Sequence, residues 1–189
     1  MKTLDIPSYA VFGWSLGGHI ALDMLAQDGG ILGVMITGSP PIGQDRGAIH
    51  EGFAGNIESG GAAKRVLSEE EIDGFAHGTC GANAPYDPLL EATVRRTDGR
   101  SLMVAKMSAG LGRNQCDLAV NSKVPLAIVD GAQDPFLNHD YIRSLPYKNL
   151  WEGKVHELAG LDRVPFWEVP KVFDQYLDRF LKDLSKATT

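Results

Sequence analysis

The sequence predicts an α/β fold: a parallel sheet of about four strands, helices flanking it, and a helical cap inserted between the second and third strands. Three observations carry this. Short apolar runs alternate with segments of helical periodicity, the pattern of strand–helix–strand crossovers. A glycine-flanked serine, Gly13-Trp14-Ser15-Leu16-Gly17, stands where the first apolar run passes into the first helical segment. Residues 40–122, between two apolar runs, are too many for a plain crossover.

Taken in order, Tyr9-Ala10-Val11-Phe12 is the first strand, and Leu16, Ile20, Met24 and Leu25 recur at helical spacing after it. Gly29-Gly30 stops that helix. Ile31 to Thr37 is a buried strand, closed by a turn at Ser39-Pro40-Pro41. The insertion opens glycine-rich, at Gly52, Gly55, Gly60 and Gly61, and then shows helical patterns near Ser68–His77, Pro88–Arg96 and Ser101–Ala109. Glu69, Glu70 and Glu71 fit the first turn of a helix capped by Ser68. Val124 to Asp130 is the third strand, with Pro125 near its start, where a missing N–H is tolerated. Trp151 to Leu158 is the candidate fourth strand. Val169, Val172, Phe173, Tyr176, Leu177, Phe180, Leu181 and Leu184 then form one stripe of a closing helix, with Pro170 in its first turn. The expected division is a core of residues 1–39 and 123–189 and a cap of residues 40–122, with no internal repeat or low-complexity segment.

Composition narrows the function. The 189 residues carry a net charge of −6, against general affinity for nucleic acid, which needs clustered Lys and Arg. No apolar run reaches membrane-spanning length, and Met1 to Pro7 holds no apolar signal region. The two cysteines, Cys80 and Cys116, lack metal-ligand spacing and make no disulfide scaffold, so a reduced, cytoplasmic setting is expected. No metal or organic cofactor is implied.

The chemistry centres on Ser15. A serine in a tight strand-to-helix turn is held at the top of the sheet, at a helix N-terminus, where the backbone N–H of Leu16 can donate to an oxyanion. Gly13 and Gly17 are expected to permit the close approach, and Gly18 to let the helix pack on the sheet. In folds of this kind an acid follows the serine, and a histidine follows the acid. Asp134, in the loop after the third strand, is the candidate acid; Asp130, at the strand end, is the weaker one. An Asx-turn or helix cap before Pro135 is the structural alternative for Asp134.

These residues resemble the α/β-hydrolases, and in particular the N-acyl-homoserine lactonases of that fold. The likeness runs through Val11-Phe12-Gly13-Trp14-Ser15-Leu16-Gly17-Gly18-His19-Ile20 and Met35-Ile36-Thr37-Gly38-Ser39-Pro40-Pro41. It continues in Arg96-Thr97-Asp98-Gly99-Arg100, Gly112-Arg113-Asn114-Gln115-Cys116-Asp117 and Asn149-Leu150-Trp151-Glu152-Gly153-Lys154. The resemblance implies a partial α/β-hydrolase fold and nucleophilic acyl transfer on a lactone or carboxylic ester. Ser15 would attack, Leu16 would hold the oxyanion, Asp134 would orient the base, and Trp14 and Phe75 would line the substrate site.

Three departures stand out. Where the family has Gly-His-x-Pro-Phe, this chain reads Asp162-Arg163-Val164-Pro165-Phe166, so Arg163 takes the slot of the catalytic histidine. A guanidinium donates hydrogen bonds and accepts none, so it cannot take a proton from Ser15. The strands that precede the elbow in the family, with the loop that supplies a second oxyanion donor, are not in this sequence. Phe75 stands where related lactonases carry a tyrosine. Of the five histidines, His19 is expected to pack at the helix–sheet contact; His50, His77, His139 and His156 are expected to be structural or exposed. The expectation is a serine hydrolase impaired at Arg163, or else a non-catalytic binding protein of hydrolase descent. The first strand, left with an open apolar edge, is expected to pair with a second copy or with a separate N-terminal half.

Overall fold

The computed structural model describes residues 2–27, 29–45, 47–54, 66–79, 87–100 and 112–187. Four strands, β1 (Tyr9–Trp14), β2 (Ile31–Thr37), β3 (Leu126–Gly131) and β4 (His156–Leu158), form one sheet in the order β1-β2-β3-β4. Every neighbouring pair is parallel. The helices in chain order are α1 (Leu16–Met24), α2 (Ala48–Gly52), α3 (Glu69–Thr79), α4 (Pro88–Arg96), α5 (Gln115–Val120), α6 (His139–Ser144), α7 (Pro165–Glu168) and α8 (Pro170–Ala187).

The central strands are buried on both faces, and their side chains alternate between two cores. Val34, Ile36, Leu126 and Ile128 pack with Ala21 and Leu22 of α1, Ala119 of α5 and Ile142 of α6. Met35, Ala127 and Val129 pack on the other face with Phe173, Phe180 and Leu184 of α8. A Cβ on Gly33 would stand 2.7–2.8 Å from Leu184 and Phe180, so this glycine lets α8 lie close against β2. Of the apolar stripe expected of the last helix, Phe173, Tyr176, Leu177, Phe180 and Leu184 fill the second core, while Val169, Val172 and Leu181 are exposed.

The fourth strand is shorter than the sequence suggests. Only His156–Leu158 pairs with β3; Trp151–Gly153 is a 3-10 turn. Glu152 (φ 53°) and Gly153 (φ 67°) are both left-handed, which a pleated strand cannot hold. Trp151 is buried instead in the second core, its indole N–H donating to Asp183 Oδ2 at 3.1 Å. The third strand begins just past Pro125.

In the insertion, α3 carries the expected capping box: Glu71 N–H donates to Ser68 Oγ (3.2 Å) and Ser68 N–H to Glu71 Oε2 (2.9 Å). Helix α4 has the boundaries its pattern predicts, with Asp87 accepting from Leu89 N–H at 2.8 Å. Helix α5 lies within residues 40–122, yet its Ala119 is buried in the first core beside α1. The helix expected near Ser101–Ala109 and Cys80 lie outside the described residues. Among the described residues β1 is an outermost strand of the sheet, and Phe12 on it and Leu16 and Ile20 on α1 are exposed. Among the described residues, no helix is long and apolar enough to cross a membrane.

Candidate active site

Ser15 is the single residue between β1 and α1, and its backbone is left-handed (φ 52°, ψ −123°). Such a conformation is costly for a side chain with a Cβ and persists only where its surroundings hold it. Here Ser15 N–H donates to Thr37 O (3.0 Å), and Ser15 O accepts from Gly18 N–H (2.9 Å). Ser39 Oγ lies 2.7 Å from Ser15 O and 2.9 Å from Thr37 O, tying the turn to the end of β2. A Cβ on Gly13 would stand 2.5 Å from Gly17 O, and one on Gly18 would run into the Ser39 hydroxyl. Gly17 differs from expectation: a Cβ there meets nothing within 4 Å, because that side of α1 is open. Leu16 N–H, at the first position of α1, meets no backbone acceptor among the described residues.

The loop after β4 delivers Arg163 to this corner. Gly131 makes room for it, since a Cβ there would strike the Leu161 and Asp162 carbonyls. Ala132 N–H bonds Leu158 O and Gln133 N–H bonds Leu161 O, fastening this loop to the one that carries Asp134. Glu168 accepts from the N–H groups of Asp162 (3.0 Å) and Val164 (3.2 Å), on either side of Arg163. Trp14 Nε1–H donates to the Arg163 carbonyl at 3.1 Å, and its ring meets Phe166 edge-on.

The Arg163 side chain, 10% exposed, then joins the acid to the serine. Its Nη1 donates to Asp134 Oδ2 (2.9 Å) and to Gly38 O (3.0 Å), and its Nη2 to Ser15 Oγ (2.8 Å). Gly38 sits at φ +63°, and a Cβ there would stand 2.8 Å from Nη1. The guanidinium carbon lies 5.2 Å from the Phe136 ring centre. Asp134 is buried, and its Oδ1 accepts from Phe136 N–H (2.9 Å), so the Asx-turn and the ion pair coexist on one side chain.

Asp130 lies behind this cluster at the end of β3, fully buried. Its Oδ1 accepts from Gly38 N–H at 2.7 Å, and its Oδ2 has no partner among the described residues. Burial pushes its carboxyl up to about 7, against the opposing pull of the Gly38 hydrogen bond. Gly38 thus links the two acids, Asp130 through its N–H and Asp134 through the arginine on its carbonyl.

No hydrogen bond joins an imidazole to Ser15 among the described residues. His19, expected at the helix–sheet contact, meets Gln115 Oε1 of α5 (2.8 Å) and the Phe53 ring instead. Burial lowers its pKa, and the Gln115 hydrogen bond works against that. His77 bonds Asp73, His139 lies 3.6 Å from Glu157, and His156 lies 3.4 Å from Glu152. Phe75 is half-buried on α3 and contributes nothing to the hydrogen bonds of Ser15, Arg163 and Asp134. The described residues hold no group of three or more His, Cys, Asp or Glu placed to bind a metal ion.

The sequence therefore pointed to the three side chains that meet, and missed those that aim them. Glu168, Gly38 and Gly131 act through backbone contacts that leave no local signature. Gln115 and Gly38 stand in family-like segments, which marked their places though not their roles.

A serine on a strand-to-helix corner, an acid on the loop after β3 and a third side chain bridging them from the loop after β4 define the class. The chain belongs to the α/β-hydrolases. No protein-family model and no curated protein matches it, and the assignment comes from solved structures. The chain is similar to the N-acyl homoserine lactonase AidH, in a serine-to-glycine mutant complexed with N-hexanoyl homoserine lactone. The identity is 36% over 98% of this chain and 68% of that one, with a TM-score of 0.90. It is also similar to AidH complexed with N-butanoyl homoserine (38% identity, 97% and 66% covered, TM-score 0.88). The esterase RhEst1 from Rhodococcus sp. ECU1013 (17% identity, 97% and 68% covered, TM-score 0.68) shares the fold. The chain spans about two thirds of the length of these proteins.

Proposed function

We propose that this chain is a lactone- and ester-binding α/β-hydrolase, with N-acyl-homoserine lactones as its substrate class, whose turnover is suppressed at Arg163. Ser15 is the nucleophile by position, Leu16 N–H an oxyanion donor, and Asp134 the acid that would orient a base. Trp14 and Phe75 are the proposed walls of the substrate site. The substrate class rests on the likeness to AidH, which is described with both the intact lactone and the ring-opened homoserine.

One observation carries the suppression. Arg163 Nη2 donates to Ser15 Oγ at 2.8 Å, in the slot from which a general base would accept the serine's proton. A donor there leaves the hydroxyl protonated and lowers the electron density on its oxygen. Replacing Arg163 with histidine supplies an acceptor beside Asp134. Hydrolysis of N-hexanoyl homoserine lactone by Arg163→His is expected to rise at least about 100-fold over the unaltered chain, the usual scale of a positioned base. Turnover that stays at background in a folded Arg163→His protein removes the assignment of this slot.

The same hydrogen bond favours a second reading, a binding protein that performs no acyl transfer. A fluorophosphonate probe separates the two. Slow labelling at Ser15, abolished by Ser15→Ala, belongs to the suppressed hydrolase; no labelling over long exposure belongs to the binding protein.

A further inference from the structure

Arg163 uses only part of its donor set inside the protein. A guanidinium has five N–H donors. Two go from Nη1 to Asp134 and Gly38 and one from Nη2 to Ser15. Nε and the remaining Nη2 proton meet no acceptor among the described residues. Among the described residues, the Ser15 hydroxyl, itself accepting from Nη2, meets no acceptor for its own proton, and Leu16 N–H next to it meets no backbone acceptor. The acceptors at this corner, Ser15 Oγ, Asp134 Oδ2 and Gly38 O, are thus each engaged by Arg163, a side chain that is nine-tenths buried, while donors are left over. A histidine in place of Arg163 would put one lone pair into this group; the arginine removes it.

Donors that reach solvent at the half-buried Ser15 and the exposed Leu16, beside a guanidinium that is itself nine-tenths buried, are matched by an anion better than by a neutral carbonyl. We propose that the Ser15–Leu16–Arg163 corner is a carboxylate-binding site, taking the ring-opened hydroxy acid of the substrate class in preference to the neutral lactone. This rests on the substrate class proposed above and goes beyond it in naming which form is held. Asp134 offsets the arginine's charge from the Nη1 side, so the preference comes from directed donors and not from an excess of positive charge. A carboxylate has the two oxygens that such a group of donors needs, whereas an ester carbonyl offers one acceptor of weaker basicity.

Titration calorimetry on the unaltered chain, with N-hexanoyl homoserine and N-hexanoyl homoserine lactone as probes, tests this. The acid is expected to bind about tenfold more tightly than the lactone, the difference between a charge-assisted and a neutral hydrogen bond. Arg163→Gln is expected to abolish that preference while lactone affinity persists. Ser15→Ala, which leaves the Arg163–Asp134 pair in place, is expected to weaken the acid severalfold. Equal affinities, or a preference that survives both substitutions in folded protein, overturn the carboxylate site. Lactone binding with no acid binding overturns it and leaves the proposed function standing; binding of neither probe overturns both.

Discussion

At the scale of single residues, the ion pair between Arg163 and Asp134 is the most exposed to test. Both partners are buried, and a buried pair costs far more to break than it contributes over an apolar replacement. Arg163→Met strands the Asp134 carboxylate and is expected to lower unfolding free energy by about 3–5 kcal/mol in denaturant titrations at neutral pH. A loss under about 1 kcal/mol would mean that the carboxylate finds water or another donor. Asp130 makes a separate pH prediction. Burial raises its pKa from 3.8 to about 7, so between these values the folded chain holds a proton that the unfolded chain has released. Its contribution to stability is complete below about pH 4 and falls as pH rises to about 7, by about 1.4 kcal/mol per pH unit. Asp130→Asn retains an acceptor for Gly38 N–H and is expected to remove that part of the slope. An identical pH–stability curve for Asp130→Asn and the unaltered chain would show the group to be ionised in the fold.

At the scale of elements, the β1–α1 corner separates two glycines that the motif makes look alike. A methyl on Gly18 must displace Ser39, whose hydroxyl ties the turn to Thr37 and Ser15. Gly18→Ala is expected to destabilise by about 1–3 kcal/mol, as overpacking does. A methyl on Gly17 meets open space, and alanine is the better helix former by about 1 kcal/mol, so Gly17→Ala is expected to leave stability unchanged or raise it. Thermal unfolding of the two variants side by side checks the contrast; equal losses would mean that both glycines are packed. The short β4 makes the same point. The apolar content of 151–158 suggested a full strand, and two left-handed residues turned half of it into a buried tryptophan anchor.

At the scale of the molecule, the sheet of the described residues ends at β1. Phe12 on β1 and Leu16 and Ile20 on α1 are 40%, 51% and 54% exposed, so β1, the outermost strand among the described residues, and the helix after it both present apolar surface. Such an edge is a template for another strand. We propose that it pairs with a second copy of the chain. Sedimentation of the chain alone is expected to show association that grows with concentration, and Ile20→Lys to reduce it by placing a charge on the apolar rim. A monodisperse monomer at high concentration, or association indifferent to Ile20→Lys, would count against the edge as the interface.

What the sequence by itself determined is whatever is written in nearest neighbours and periodicity. The strand-to-helix corner at Ser15, the span of β2, the capping box of α3 and the stripe of α8 all follow from steric and hydrophobic rules acting within one element. Arg163 stood out for the same kind of reason, as one residue in the wrong chemical class for its slot. What only the tertiary structure decided is where that guanidinium goes. Its bonds to Asp134, Gly38 and Ser15 span 29, 125 and 148 residues, and its aim is set by Glu168, Gly131 and Trp14 from three other elements. A side chain with several rotatable bonds has no preferred direction of its own, so its function is settled by the packing and hydrogen bonds that close around it.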